Sequence, residues 1–294
     1  MTSETGRRVL EAGSGSEVAA FYDQLSLLLA ELIGGSLHQG YWESDEDTAS
    51  MAEASTRLTD LLAEKIAVGP GDRVLDIGCG TGLPALRLAQ VTGATVVGVT
   101  NSPVQAEEAA RRASAAGLGD RLTFRCADAT ELELDAESFD AVWMIESISH
   151  LPDRRDALRR VAHVLKPGGR LALTDILDAS DAPARLDSAV GALDDHAQSH
   201  GFSPLMARPV RLAEYGPLLD AAGLTGVELA DISGHTVRRT LECMRQKMTE
   251  DRAALTERFG DALVEQYASV LPLLDSAGFG YALVVAAKPA PGRE

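Results

Sequence analysis

The stretch Val74-Leu75-Asp76-Ile77-Gly78-Cys79-Gly80-Thr81-Gly82 decides the fold of this 294-residue chain. It opens as an apolar run with β-branched residues, which favours a strand. Three glycines follow at alternate positions, and residues 84–91 then have the composition of a helix. A strand, a tight turn and a helix N-terminus therefore come in order. Glycine admits φ > 0 and lets a bound molecule approach the backbone closely. A helix N-terminus offers unpaired N–H groups to a negative group. The spacing G-x-G-x-G differs from the dinucleotide fingerprint G-x-G-x-x-G. Asp76, two residues before the first glycine, would repel a pyrophosphate and suits a ligand that carries an ammonium group. A glycine-rich turn without a ligand is the plainer alternative.

Outward from this stretch, short β-like runs alternate with helical ones. That pattern predicts a mostly parallel sheet covered on both faces. Strands are expected at 73–77, 95–99, 122–126, 139–144, 170–176, 226–232 and 281–287. Ser102-Pro103-Val104-Gln105 reads as a capping box with proline at the first helical position. Glu107/Arg111 and Glu108/Arg112 stand at i,i+4 in that helix, and Gly117 stops it. Asp153 is placed to cap the next helix, whose Leu158, Val161, Ala162 and Leu165 share one face. Lys166-Pro167-Gly168-Gly169 then turns it into a strand. Leu58, Leu61, Leu62 and Ile66 repeat at helical spacing before the glycine loop.

Two regions exceed a minimal alternating sheet, namely 18–55 and 177–225 with the helical run 236–276 after it. Ligands of open sheets bind at the carboxyl ends of the strands, where extra segments can roof the site. The expected division is a disordered tail at 1–17, an N-terminal lid at 18–55 and a cofactor-binding core at 56–176. A substrate cap insertion at 177–225 follows, and 226–294 completes the core with cap helices in 236–276.

Composition narrows the function. Hydrophobic residues make up 45% and charged residues 24%, as in globular proteins generally. No apolar run approaches the ~20 residues of a membrane span. The polar, Gly/Ser-rich start lacks the apolar core of a secretory signal. Cys79, Cys126 and Cys243 are too widely spaced for a metal or disulfide pattern, so a cytoplasmic setting is the expectation. The net charge of −17 argues against nucleic acid and against anionic membrane surfaces. A small molecule is the expected partner, and the chain is expected to be a monomer or homodimer. High Ala and Arg usage has the flavour of a GC-rich actinobacterial proteome.

The word Asp76-Ile77-Gly78-Cys79-Gly80-Thr81-Gly82 resembles motif I of the class I S-adenosylmethionine-dependent methyltransferases. Further segments are similar to a subgroup of actinobacterial natural-product methyltransferases. Gly98-Val99-Thr100-Asn101-Ser102-Pro103-Val104-Gln105 matches its second-strand segment, with Thr100 where most class I members place an acid for the ribose. Cys126-Ala127-Asp128-Ala129 resembles motif III. Glu146-Ser147-Ile148-Ser149-His150-Leu151-Pro152-Asp153 resembles the segment after strand four, with Ser149 where some relatives carry a histidine base. Leu37-His38-Gln39-Gly40-Tyr41-Trp42 resembles an N-terminal string of the same subgroup.

The resemblance implies an α/β fold: a Rossmann-like seven-stranded class I methyltransferase sheet, order 3-2-1-4-5-7-6, last strand antiparallel, with helical cap and lid insertions. It implies S-adenosyl-L-methionine as cofactor and no metal. Gly78, Gly80 and Gly82 would cradle it together with Asp76. Asn101, Ser102 and Gln105 would hold the ribose through neutral groups, although Ser102 and Gln105 also serve as plain helix caps. Asp128 would accept the adenine amine and the Ala129 N–H would meet a ring nitrogen. Tyr22, His38 and Tyr41 would cover the methionine end, where ring faces attract a sulfonium, and Glu146 is counted with them as a cofactor-binding residue. Asp175 and His150, at the ends of expected strands five and four, are the candidate catalytic pair for an oxygen nucleophile. His196, His200, Phe202, Met206, Arg208 and His235 are candidates for the acceptor cavity.

The implied activity is methyl transfer to a hydroxyl, amine or carbon of a small secondary metabolite. A cyclase or isomerase that keeps the cofactor without spending its methyl is the alternative. A binding protein that senses the cofactor is a third reading, and a cavity opening on the methyl group would favour an enzyme over it.

Overall fold

The computed structural model describes residues 27–179, 191, 208–276 and 278–290. Its centre is a seven-stranded sheet: β1 Arg73–Ile77, β2 Thr95–Thr100, β3 Leu122–Cys126, β4 Phe139–Ile145, β5 Leu165–Asp178, β6 Thr225–Asp231 and β7 Phe279–Ala287. Their order is β3-β2-β1-β4-β5-β7-β6. β1 to β5 run parallel, while β7 pairs antiparallel with both β5 and β6. Order and sense agree with the expectation. β5 is longer than expected at both ends. Leu165, read as the last position of a helix face, instead opens β5 opposite Phe139, and an irregularity in the pairing absorbs Lys166–Gly169.

The helices are α1 Met51–Ile66, α2 Leu83–Thr92, α3 Pro103–Ala115, α4 Arg154–Val164, α5 Tyr215–Ala221, α6 Val237–Glu250, α7 Arg252–Phe259 and α8 Asp261–Ser276. α1 to α3 cover one sheet face: Leu58, Leu62, Leu88 and Ala113 pack on Val74, Val96 and Trp143. α4 and α5 cover the other, with Leu158, Val161, Tyr215 and Leu219 on Leu75, Val142 and Leu173. Strands buried on both faces must be apolar throughout, which explains their nearly unbroken Val/Leu/Ala runs.

Asp153 caps α4 through the Arg155 and Asp156 N–H groups, as its position implied. Ser102 caps α3 through the Gln105 N–H, but the box is not reciprocal, because the Gln105 side chain takes a hydrogen bond from Thr100 instead. Arg111 pairs with Glu108 at i,i+3 rather than with Glu107, and Arg112 shares the same carboxylate.

A third apolar cluster lies outside the sheet layers. Leu28, Leu32, Ile33 and Trp42 of the N-terminal segment pack with Leu241, Met244 and Met248 of α6 and with Leu263, Val264 and Leu271 of α8. Residues 27–32 are helical. The segment is pinned at its far end. Tyr41 N donates to Ala54 O (2.9 Å), Trp42 N to His235 O (2.9 Å) and Gly40 N to Thr240 Oγ1 (3.2 Å).

Candidate active site

A cavity of about 710 Å³ opens at the carboxyl ends of β1, β2 and β4. Loops after these strands form one wall, and the N-terminal segment with α6 and α8 forms the other. This is where an open α/β sheet binds ligands, because the loops diverge on either side of the reversal in strand order.

The glycine loop shapes the floor. Gly78 (φ 78°) and Gly80 (φ 53°) line the cavity in left-handed conformations that a side chain would strain. A Cβ on Gly78 would sit 2.3 Å from the Ser147 Cβ, and one on Gly80 would come within 3.1 Å of Leu37 Cδ1. The Gly78 and Cys79 N–H groups are both tied to Val99 O (2.8 and 2.9 Å), which locks the turn against β2. Gly82 differs from its expected role. It does not line the cavity but starts α2, and a Cβ there would meet Ala109 Cβ at 2.7 Å, so its absent side chain serves the α2–α3 packing.

Asp76 is a further correction. It is 2% exposed, lies outside the cavity wall, and its Oδ2 has no hydrogen-bond partner. Burial pushes its carboxyl up to about 7, with the Trp143 indole opposing. It therefore sits beneath the loop and is not brought to the cavity wall.

The second and third strands supply the polar rim. Thr100 donates to Gln105 Oε1 (2.7 Å), which directs the Gln105 amide. Gln105 and Asn101 line the cavity, whereas the Ser102 hydroxyl is turned to the α3 cap. Asp128 and Ala129 line it too. Asp128 Oδ1 accepts from the Thr130 N–H and hydroxyl (both 2.7 Å), which hold the carboxyl below its ordinary range. Among the described residues no donor is bonded to its Oδ2, which as a carboxylate oxygen could accept from an amine.

His38 is 2% exposed and on the cavity wall. Its Nδ1 donates to the Gln39 carbonyl (2.8 Å), and Nε2 lies 3.1 Å from Thr59 Oγ1. Burial lowers its pKa to about 4, so the ring is neutral and fixes the Gln39 turn. Tyr41 is absent from the wall. Its ring stacks on His235 with centroids 4.9 Å apart, which places it behind the site as a fastener. Tyr22 lies outside the described residues, as do His196, His200, Phe202 and Met206. Arg208 and His235 are described but do not line the cavity.

Glu146 and His150 face the cavity at the end of β4. Asp175 does not. It is 0% exposed, and Arg154 Nε and Nη2 donate to its two oxygens at 2.8 and 3.3 Å, with the Tyr215 hydroxyl 2.6 Å away. Successive strand residues point to opposite faces. Ile176 lines the cavity and Thr174 accepts the Glu146 N–H, whereas Asp175 between them turns to Arg154 of α4 and Tyr215 of α5. The structure does not bring this expected catalytic group to the cavity wall.

Sequence reasoning did not reach the rest of the wall. Gln39 lines the cavity with a buried Oε1 that lacks a partner. Val237, Leu241 and Met244 of α6 line it, and their i, i+4, i+7 spacing was the available signal. Tyr267 of α8 and Phe279 of β7 complete an apolar end. No described side chain on this wall is a Lys or Arg. Among the described residues no group of His, Cys, Asp and Glu is arranged to hold a metal ion.

These features fit S-adenosyl-L-methionine. The glycine floor leaves space that a Cβ would fill, Asp128 offers an acceptor to an amine, Asn101 and Gln105 offer neutral groups to hydroxyls, and the orphaned Gln39 oxygen suits an ammonium. When bound, the cofactor supplies an activated methyl group, and the protein's part is to position and desolvate.

A glycine loop in this sheet order, with a cavity of this donor set, defines a methyl-transferring enzyme class. A methyltransferase domain family matches residues 74–169. The chain is 37% identical over 284 residues to methyltransferase GfsG of Streptomyces halstedii, covering 93% of this chain and 94% of that protein. It is 42% identical over 221 residues to the 27-O-demethylrifamycin SV methyltransferase of Amycolatopsis mediterranei, covering 75% and 78%. The crystal structure of the 4+2 cyclase SpnF superposes with a TM-score of 0.78 at 32% identity, covering 95% and 98%. The chain belongs to the class I S-adenosylmethionine-dependent methyltransferases, in the branch that serves actinobacterial natural-product pathways. Among the described residues no helix is long and apolar enough to cross a membrane.

Proposed function

We propose that the methyl group goes to a hydroxyl oxygen of an uncharged, largely apolar natural product. One observation carries this reading: beyond the glycine floor the cavity continues between Leu29, Ile33, Leu241, Met244, Leu274 and Phe279, with no described cationic side chain to pair with a phosphate or carboxylate. A hydrophobic body would bury its surface there at roughly 25 cal/mol per Å², and its hydroxyl would face Glu146 and His150. His150 is exposed on the wall and would orient that hydroxyl.

The reading includes a lid at 18–55 and cap helices in 236–276 that exclude water during transfer. The cluster joining Leu28, Trp42, Leu241 and Val264 supports it. It includes a cytoplasmic setting as monomer or homodimer, in keeping with three free cysteines.

The test is incubation with S-adenosyl-L-methionine and 27-O-demethylrifamycin SV, the acceptor named for the Amycolatopsis relative. A methylated product and equimolar S-adenosylhomocysteine are expected. A product of unchanged mass, formed without S-adenosylhomocysteine, would favour the cyclase reading that the SpnF likeness keeps in view.

A further inference from the structure

We propose that Glu146 is the catalytic base, taking the proton from the acceptor hydroxyl through its Oε2. The inference rests on the oxygen-acceptor reading above and fills the role that the buried Asp175 cannot.

Glu146 is unlike any other acid on the cavity wall. Its Oε1 is fully engaged: the Gln39 N–H donates to it at 2.6 Å, and the Tyr281 hydroxyl lies 2.7 Å away. That hydroxyl is also 2.9 Å from Thr174 Oγ1, and Thr174 accepts the Glu146 N–H at 3.1 Å. Tyrosine has one hydrogen to give, and the carboxylate is the stronger acceptor, so Thr174 donates to Tyr281. The carboxyl is thus held from the N-terminal segment, β5 and β7 at once. Oε2 receives no hydrogen bond among the described residues, yet it is not a sealed, orphaned atom, so it opens to the cavity. One oxygen is fixed and the other presented.

The backbone adds a second, independent sign. Glu146 has φ 50°, one of three described non-glycine residues in the left-handed region. Strain of that kind persists where the surrounding structure fixes it and tends to gather at functional sites. Here it turns the chain at the end of β4 so that the side chain faces the cavity instead of continuing the strand.

The surroundings also set the carboxyl's basicity. Burial pushes it up to about 7, the Asp175 charge adds to the rise, and the hydrogen bonds from Tyr281 and Gln39 oppose it. Tyr267 on α8 and Tyr281 on β7 face it and are both raised, by burial first and by its charge second, so neither competes for the proton near neutrality. His38 and His150 are the other titratable groups on that stretch of wall. A base matched to neutral pH is the efficient case for proton removal.

The step balances. As the acceptor oxygen gains the methyl carbon, its proton passes to Glu146 Oε2. The electron pair of the broken carbon–sulfur bond remains on sulfur, which loses its positive charge. The protonated carboxyl then releases the proton to solvent.

The experiment compares wild type with Glu146→Gln and Glu146→Asp. Gln keeps an oxygen for Tyr281 and Gln39 but cannot take a proton. With 27-O-demethylrifamycin SV as acceptor, kcat should fall about 10²- to 10⁴-fold in the Gln variant and recover in part in the Asp variant. Calorimetry should show S-adenosylhomocysteine affinity within about threefold of wild type. Infrared difference spectra of the S-adenosylhomocysteine complex, wild type against Glu146→Gln, should show a carboxyl titrating near neutral pH. An affinity loss of tenfold or more, with a carboxyl that stays ionised down to pH 5, would make Glu146 a ligand of the cofactor ammonium and overturn the proposal. Full turnover by Glu146→Gln would overturn it too. Lack of wild-type turnover on this acceptor would count against the oxygen-acceptor reading, and the titration and calorimetry would still decide on Glu146.

Discussion

At the scale of single residues, the site divides into groups that meet ligand and groups that hold those groups still. Asp128 presents one free oxygen beside another saturated by Thr130, and Gly80 leaves the space that a methyl group would fill. Asp128→Ala should weaken S-adenosylhomocysteine binding about tenfold, the value of a charged hydrogen bond to a group that is exposed until the ligand covers it. Gly80→Ala should weaken it as well, because its Cβ adds strain at φ 53°. Calorimetry that finds both affinities unchanged would remove the glycine floor and Asp128 from the cofactor site. Asp175 belongs to the second group. Replacing it by Asn leaves Arg154 as a buried, underpaired cation, so urea denaturation should show a loss of about 3 kcal/mol. An Asp175→Asn protein as stable as wild type but catalytically dead would restore it as a participant in the chemistry.

At the scale of elements, the N-terminal segment is held by apolar packing at Leu28 and Leu32 and by hydrogen bonds at residues 40–42. Residues 40–42 are held by Ala54, His235 and Thr240, and Trp42 is buried with the Arg239 guanidinium 5.3 Å over its ring. Gly34 and Gly35, both with positive φ, precede His38 and Gln39, which reach the cavity. If the segment is the lid proposed above, it must open to load cofactor, and the hydrogen bonds at 40–42 leave the part before Gly40 as the portion expected to move. Hydrogen exchange should therefore show amides 27–39 gaining protection when S-adenosylhomocysteine is added, while 40–42 are protected from the start. Equal exchange across 27–39 with and without ligand would make the whole segment a fixed wall.

At the scale of the whole molecule, three buried titrating groups act on stability in opposite directions. Asp76 and Glu146 both bind protons more tightly folded than unfolded, up to about 7. Such groups stabilise at low pH, and the contribution is lost as pH rises through the window from about 4 to about 7. His38, lowered from 6.5 to about 4, does the reverse and adds stability as pH rises across that interval. Two falling contributions against one rising leave a net fall, steepest between 6.5 and 7, where His38 has finished. The cofactor-free protein should melt at lower temperature at pH 8 than at pH 6. Asp76→Asn should flatten that slope, because an amide cannot ionise, so its melting temperature should gain on wild type as pH rises. A parallel offset at all pH values would show that Asp76 is not the group responsible.

What the sequence by itself determined was the sheet and its ligand end. An alternation of period two and 3.6, with glycines at the one turn where they are required, is written locally, and so are the caps at Ser102 and Asp153. The positions of Asp128, Asn101 and Gln105 followed because each ends a strand or opens a helix beside that turn. The tertiary structure alone decided which face each remaining side chain takes. A shift of one residue along β5 separates Thr174, which supports Glu146, from Asp175, which is locked to Arg154, and nothing near Asp175 in the sequence names a partner 21 residues back in α4. Tyr41 and Gly82 left the site for the same reason, since their contacts, His235 and Ala109, come from other elements. The hold on Glu146 joins residues 107 and 135 positions apart, and only the packed fold brings those distances to hydrogen-bond length.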